Sequence, residues 1–148
     1  MTPSEMTQTL VAAGKSLIAV LDEESTALTE VRLSRVTELH EAKEAAAEHY
    51  ETVVKAASDN ADVVAAAGPA DRRALNAVKS DLDKAAVRNI NALRAAMEMN
   101  RRLMQTIATS IERQRLSAAG YTNTGAAYHR GHAPKAGDTL SVSLNKTF

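Results

Sequence analysis

Few residues of this chain have the types and spacing that chemistry requires, and the histidines come first. His40 and Glu44 lie one helical turn apart and could share a metal ion. The spacing around His49 does not give the Glu-x-x-His pair of carboxylate-bridged di-iron bundles. His129 and His132 form a His-x-x-His pair without further ligands beside it. We therefore expect solvent-facing polar side chains at these positions and no metal centre.

The motifs of covalent and phosphate chemistry are missing from the sequence. The chain of 148 residues contains no cysteine, which excludes disulfides, thiolate metal sites and cysteine nucleophiles. It has no Gly-x-Ser-x-Gly elbow for a serine nucleophile and no Gly-x-x-x-x-Gly-Lys loop for phosphate. The sequence thus predicts a protein with no enzymatic activity and no cofactor.

Charge and hydropathy indicate a water-soluble protein with an uneven charge distribution. No apolar run approaches the roughly 20 residues of a membrane span, and no signal peptide is recognisable, so we expect no membrane insertion and a cytoplasmic location. Residues 1–67 carry a net charge of −7, and residues 68–119 carry +5. An acidic helix lying antiparallel to a basic helix explains this better than nucleic-acid binding, because the arginines are scattered and no aromatic side chains accompany them.

The element that positions the apolar residues is a helix over 82–116. Apolar side chains recur there at alternating steps of three and four residues, with one polar exception, and no glycine or proline interrupts them. A narrow apolar stripe on so long a helix needs a partner helix to cover it. The stripe consists of Ala86, Ile90, Leu93, Met97, Asn100, Met104, Ile107 and Ile111.

The first helical region begins with a capping signature and contains a break. Thr2 can cap the helix, Pro3 suits its first position, and Glu5 stands three residues after the cap. The apolar seam of this region changes phase by one residue after Val31. A change in winding or a kink absorbs such a slip, so we expect a bend or short break near residues 32–35.

Gly68 and Pro69 separate the first helical region from the second. Gly68 suits the left-handed residue after a helix, and Pro69 can open the next one, which we expect to run from about Ala70 to Ala119 and to stop at Gly120. The sequence therefore predicts an all-α protein: an extended antiparallel helical hairpin or coiled coil over 1–119. In this hairpin, the segment 97–111 of the second helix meets Val31, Leu28, Leu21 and Leu17.

The segment after Gly120 has a different character. It is rich in turn-forming residues and poor in apolar ones, so we expect a flexible, disordered tail over 120–148. Leu140, Val142 and Leu144 alternate with polar residues, the pattern of a β-strand. This short segment could pair with a strand edge or dock in a groove of another protein.

Two features of the second helix have both a structural and a functional interpretation. Asn100 is the polar residue within the stripe, which is typical of a residue that fixes helix register, with a substrate contact as the alternative. Met97, Met99 and Met104 cluster on or beside the stripe. They could be packed core residues, or an adaptable face that binds partner proteins.

Several segments of the chain resemble one protein family. These are Leu-Ile-Ala-Val-Leu-Asp-Glu-Glu at 17–24, Ala-Leu at 27–28, Val-Thr-Glu-Leu at 36–39 followed by Glu-Ala-Lys-Glu at 41–44, and 89–111 with its Asn-Arg-Arg-Leu at 100–103. The closing Ser-Val-Ser-Leu-Asn at 141–145 is similar to the tail of some members. Together they resemble the FlgN family of flagellar type III export chaperones.

The resemblance implies a binding function. FlgN-like chaperones hold the C-terminal helices of the hook–filament junction proteins FlgK and FlgL, and deliver them to the export gate component FlhA. The family places substrate binding in its C-terminal region. A structural coiled-coil protein that oligomerises through the same stripe, for example as a homodimer, remains the alternative. The predicted partner-binding residues are Ile90, Leu93, Met97, Asn100, Met104, Ile107, Ile111, Leu140, Val142 and Leu144.

Overall fold

The regular structure of this protein is helical. A computed structural model describes the backbone of residues 1–125 and the side chains of residues 1–120. No strand occurs in that part of the chain, so the predicted all-α class is confirmed. The chain divides into two compact units, Met1–Gln105 and Thr106–Phe148. The helices are α1 (Pro3–Thr29), α2 (Leu33–Asp59), α3 (Ala61–Ala65) and α4 (Pro69–Gly125).

The predicted start of α1 is confirmed in detail. Thr2 Oγ1 accepts a hydrogen bond from the Glu5 N–H at 3.2 Å, and Glu5 Oε2 accepts one from the Thr2 N–H at 2.7 Å. This reciprocal pair is a capping box, with Pro3 at the start of the helix. The hydrogen bond from the Thr2 backbone lowers the pKa of Glu5 below its ordinary value. The carboxylate therefore caps the helix throughout the neutral range.

The turn between α1 and α2 closes with a Schellman motif. The Arg32 N–H donates to the Ala27 carbonyl at 2.8 Å, and the Val31 N–H donates to the Leu28 carbonyl at 3.1 Å. Val31 takes the left-handed conformation that this motif requires, with φ of 58°. Glycine usually occupies that position because a Cβ atom is strained there, most of all in a β-branched residue.

This turn reverses the chain, so the predicted long first helix with a bend near residues 32–35 is replaced by two antiparallel helices. Near the turn, Arg35 Nε donates to Glu23 Oε1 at 2.9 Å. At the other end, the cores of α1 and α2 share one apolar cluster. The phase slip in the sequence marks the point where one helix ends and another returns along it. The cluster contains Met6, Leu10, Ala13, Val53 and Ala57.

A short irregular segment leads from α2 to α4. Asn60 interrupts the helix, and its side-chain amide donates to the Ala56 carbonyl at 2.8 Å. One turn of helix, α3, follows before α4 begins at Pro69, close to the predicted boundary. The expected left-handed conformation at Gly68 is wrong, because its φ lies outside the left-handed region. The α4 helix also continues through Gly120 to Gly125 and does not stop where the sequence predicted.

The first part of α4 packs alongside α1 and completes a three-helix bundle within the unit Met1–Gln105. Gly14 of α1 faces Val78 so closely that a Cβ atom at residue 14 would lie 2.5 Å from Val78 Cγ1. Further along both helices, Arg88 Nη2 donates to Asp22 Oδ1 at 2.6 Å. Because both contacts advance in the same direction, α4 runs parallel to α1. It therefore runs antiparallel to α2.

Candidate functional site

The seam of α4 that faces the bundle is made of small and polar residues. Val78, Ala85 and Asn89 are buried, and Leu82 and Ala96 are half-buried along the same side. These positions recur at helical spacing, which brings them against α1 and α2. The seam therefore permits close helix packing but contains few large apolar side chains.

The predicted apolar stripe is only partly this buried seam. Ala86 and Leu93 are half-buried, but Ile90 is 47% exposed and Met97 is 71% exposed. The predicted positions after Leu82 lie about one residue, or roughly 100° of helix rotation, away from the buried ones. The stripe was predicted on the neighbouring side of the helix because that side carries the larger apolar residues, such as Ile90 and Met97.

A buried polar cluster holds the three helices together. Glu24 of α1 and Asn89 of α4 are both almost fully buried, and Lys43 of α2 reaches them from the side. Glu24 Oε2 accepts from Lys43 Nζ at 2.6 Å and from Asn89 Nδ2 at 2.6 Å. Lys43 Nζ also donates to Asn89 Oδ1 at 3.1 Å. Each helix supplies one member, so the cluster fixes their mutual alignment, as buried polar residues do in coiled coils.

The cover that α1 provides to α4 ends beside Ala92. Thr29 and Glu30, at the end of α1, line one groove with Asn91 and Ala92. Leu93 and Ala96 are still half-buried beyond this level, but every residue over 99–105 is exposed. Within the first unit, the bundle therefore leaves the last part of α4 uncovered.

Within the first unit, the uncovered part of α4 carries large apolar side chains, with Asn100 among them, on the side that continues the bundle seam. Roughly 18 residues make five helical turns, so Leu103 lies in the direction of Ala85, and Met104 in that of Ala86. Leu103 is nevertheless 56% exposed and Met104 38% exposed. Met97 and Met99 flank them and are also exposed. We call these four residues, Met97, Met99, Leu103 and Met104, the exposed α4 face.

Charged side chains border this face. Glu98 receives two hydrogen bonds from Arg101 and one from Arg102, each at 2.8 Å. The bond from Arg101 contributes most to lowering the pKa of Glu98, and the same contact raises the pKa of Arg101. Arg94, one turn before Glu98, forms no ion pair among residues 1–120. The border therefore has a surplus of positive charge.

The unit that begins at Thr106 also exposes apolar side chains. Ile107, Ile111 and Leu116 are all about half exposed or more. Within the first unit, the predicted contact of α4 with Val31, Leu28, Leu21 and Leu17 is wrong for residues 97–105, which are largely exposed. Because the chain turns back at Val31, the leucines of α1 pack within the bundle.

The structure assigns the role of buried asparagine to a different residue from the one predicted. Asn100 is exposed, whereas Asn89 occupies the interior and joins Glu24 and Lys43. In the sequence, Glu24 interrupts the apolar spacing of Leu17, Leu21 and Leu28, and this polar exception was the available signal for the cluster. Of the predicted partner-binding residues, Leu140, Val142 and Leu144 lie outside the described residues.

The described residues show no metal cluster. His40 Nε2 and Glu44 Oε1 approach within 3.4 Å, but both side chains are largely exposed. Over the described part of the chain, no group of three or more histidine or acidic side chains could hold an ion. The His129 and His132 pair lies outside it. None of the helices in the described range has a stretch long and apolar enough to cross a membrane.

Comparisons of the chain with models of protein families, with curated proteins and with solved structures find no match.

Proposed function

We propose that this protein is a cytoplasmic chaperone that binds an amphipathic helix of a client protein on the exposed α4 face. The observation that carries the proposal is the direction of this face. Leu103 and Met104 continue the side of α4 that α1 and α2 cover lower in the bundle, yet no helix of the first unit covers them. Large apolar side chains arranged at helical spacing are the usual acceptor for an amphipathic helix.

The chemistry of the exposed α4 face suits a client-binding role. Three of its four residues are methionines, whose flexible and polarisable side chains adapt to different partner surfaces. Exposure of several large apolar residues together is uncommon unless the surface has a partner. The resemblance of the sequence to FlgN-like proteins supplies the candidate clients: the C-terminal helices of FlgK-type and FlgL-type junction proteins, with delivery to an FlhA-type export gate.

The proposal is tested by titrating a labelled C-terminal peptide of a hook–filament junction protein with the full chain. We expect binding at micromolar concentrations, and the double variant Met97→Asp/Met104→Asp to weaken it at least about tenfold, since a charge would enter an apolar contact. Val54→Asp is the matched control, because Val54 is an exposed apolar residue of α2 away from this face. It should leave binding unchanged.

Circular dichroism separates loss of the surface from loss of the fold. Because Met97 and Met104 are exposed, their aspartate variants should keep the helicity and unfolding midpoint of the wild type. A collapse of helicity would mean that these side chains support the fold. Failure of the folded wild-type protein to bind the peptide at tens of micromolar would refute the client assignment.

The alternative function is a structural protein that forms a homodimer through the same side chains. The exposure of Ile90 and Met97 favours it as much as it favours a client, because either partner would cover them. Sedimentation equilibrium distinguishes the two. A dimer that is stable at low micromolar concentration and dissociates in Met97→Asp/Met104→Asp would establish the structural role.

A further inference from the structure

The charges around the exposed α4 face define what kind of helix it accepts. Arg94, Arg101 and Arg102 lie beside it, and Glu98 is the single acidic residue among them. Both carboxylate oxygens of Glu98 accept hydrogen bonds from Arg101, and one of them also accepts from Arg102. The single negative charge of Glu98 cannot balance both Arg94 and Arg101, so a local surplus of positive charge remains.

Two of the arginines, Arg94 and Arg101, follow one border of the apolar face. Arg94 and Arg101 are seven residues apart, which is about two helical turns, so they lie above one another on one side of α4. Met97 and Met104 have the same separation and form the neighbouring row. A helix that packs on the methionine row would bring its own border residues close to the arginine row.

We propose that the partner is an amphipathic helix with acidic side chains along one border of its apolar stripe. This inference rests on the proposed function and specifies the partner chemistry. A carboxylate opposite Arg94 meets a guanidinium that has no ion pair among residues 1–120. Such exposed pairs add little affinity individually, but they accelerate association and make it dependent on salt.

Two other partners for this face, a second copy of the chain and a membrane surface, are less favourable. A second copy of this chain would bring the same arginine surplus to the contact, so like charges would oppose its approach. An anionic membrane surface would attract the arginines. However, the apolar residues continue a seam that packs helices lower in the bundle, which favours a helical protein partner. Binding to vesicles and formation of a dimer are measured to test these two partners.

The experiment uses two designed helical peptides with the same leucine stripe, one with glutamate and one with glutamine along the border. Labelled peptides are titrated with the full chain at low and high salt, and association rates are measured by stopped flow. We expect the glutamate peptide to bind on the order of tenfold faster in about 50 mM salt, and most of this advantage to disappear near 1 M salt, where screening is strong.

The variant Arg94→Gln should reduce the advantage of the glutamate peptide several-fold. Arg73→Gln is the matched control, because Arg73 is an exposed arginine near the start of α4 and forms no ion pair among residues 1–120. It should leave both peptides unaffected. An advantage that Arg94→Gln and Arg73→Gln reduce equally would overturn the assignment to Arg94.

The remaining outcomes separate this inference from the function on which it rests. Equal rates for the two peptides at low salt would overturn the acidic-partner inference and leave helix binding intact. Failure of both peptides and of the junction-protein peptide would overturn the proposed function itself. Tighter binding to vesicles of anionic phospholipid than to the glutamate peptide would overturn the inference in favour of a membrane. A stable dimer that dissociates in Met97→Asp would overturn the inference, because a second copy of the chain would then occupy the face.

Discussion

At the scale of single residues, Val31 occupies a position in the α1–α2 turn that normally requires glycine. It holds the left-handed position of the turn that sends α2 back along α1, with φ of 58°. A non-glycine residue pays about 1–2 kcal/mol for this conformation. The two hydrogen bonds of the Schellman motif, from Val31 and Arg32 to the carbonyls of Leu28 and Ala27, hold it in place.

Val31→Gly should therefore stabilise the protein. Glycine relieves the strain, and the greater freedom of the unfolded chain offsets part of the gain, so we expect the free energy of unfolding to rise by about 0.5–1 kcal/mol. Urea denaturation followed by circular dichroism measures the change. Val54→Gly, in the interior of α2, is the control and should lower stability by a few tenths to about 1 kcal/mol. A loss of stability in Val31→Gly would contradict the strain argument.

Gly14 has the opposite requirement, because its small size permits the close approach of α4. Gly14→Ala places a Cβ atom 2.5 Å from Val78 Cγ1, so the Val78 side chain or one of the two helices must shift. We expect a loss of about 1–3 kcal/mol in unfolding free energy, despite the better helix propensity of alanine. In a Val78→Ala background the same substitution should cost less, and this coupling is measured by a double-mutant cycle.

Gly120→Ala is the control for the Gly14 cycle, since an added Cβ there meets nothing within 4 Å. It should leave stability unchanged or raise it slightly through helix propensity. Equal effects of Gly14→Ala in both backgrounds would show that Val78 does not limit the approach of the helices.

At the scale of elements, the buried polar cluster decides how α1, α2 and α4 align. Removing Lys43 leaves the buried carboxylate of Glu24 with Asn89 alone. Lys43→Met should therefore lower the free energy of unfolding by about 2–3 kcal/mol. Lys55→Met, which removes an exposed lysine of α2 paired with Asp59, is the control and should change it by less than about 0.5 kcal/mol.

Replacing all three members of the cluster should have a different effect. Glu24→Leu/Lys43→Met/Asn89→Leu removes every charge and polar group together, so stability should return towards the wild-type value or exceed it. Urea denaturation again provides the measurement. If the triple variant were less stable than Lys43→Met, the cluster would contribute net stability as well as alignment.

Sequence patterns predicted the elements better than their packing. The start of α1 at Thr2 and Pro3, and the start of the last helix near Pro69, follow from capping and proline chemistry and are found there. The reversal after α1 was missed because a phase slip has the same appearance whether the chain bends or turns back. Val31 also concealed it, since glycine is the usual signal at that position.

The candidate site was predicted in part. Met97 and Met104 were singled out, and both are exposed. The buried seam beside them was missed because Ala85 and Asn89 give a weak periodic signal compared with isoleucine and methionine. Periodicity alone also cannot reveal where a neighbouring helix ends, and that end, near Ala92, determines which residues of α4 remain uncovered.

At the scale of the whole molecule, stability should vary along α4. Within the first unit, α4 contributes buried or half-buried side chains to the bundle as far as Ala96, whereas residues 99–105 are exposed. Helices without tertiary packing are only marginally stable in water. We expect amide hydrogens over 99–105 to exchange with solvent at least about a hundredfold faster than those of Leu10 to Leu28.

Hydrogen exchange with and without the bound peptide checks this expectation. Binding on the exposed α4 face should slow exchange over 97–105 and leave the amides of α1 near their original rates. Equal protection of both segments in the free protein would mean that the far part of α4 is stabilised by contacts other than those of the bundle.

The polar cluster also has a geometric consequence. Sliding α4 along α1 by one helical turn, about 5.4 Å, would carry Asn89 out of reach of Glu24 and strand a carboxylate in a dry interior. The three helices therefore pack in one register, and registers shifted by a helical turn are disfavoured. Met97 follows Asn89 by a fixed length of helix. The methionines therefore lie at the same position relative to the bundle in every folded molecule, and a partner always meets them there.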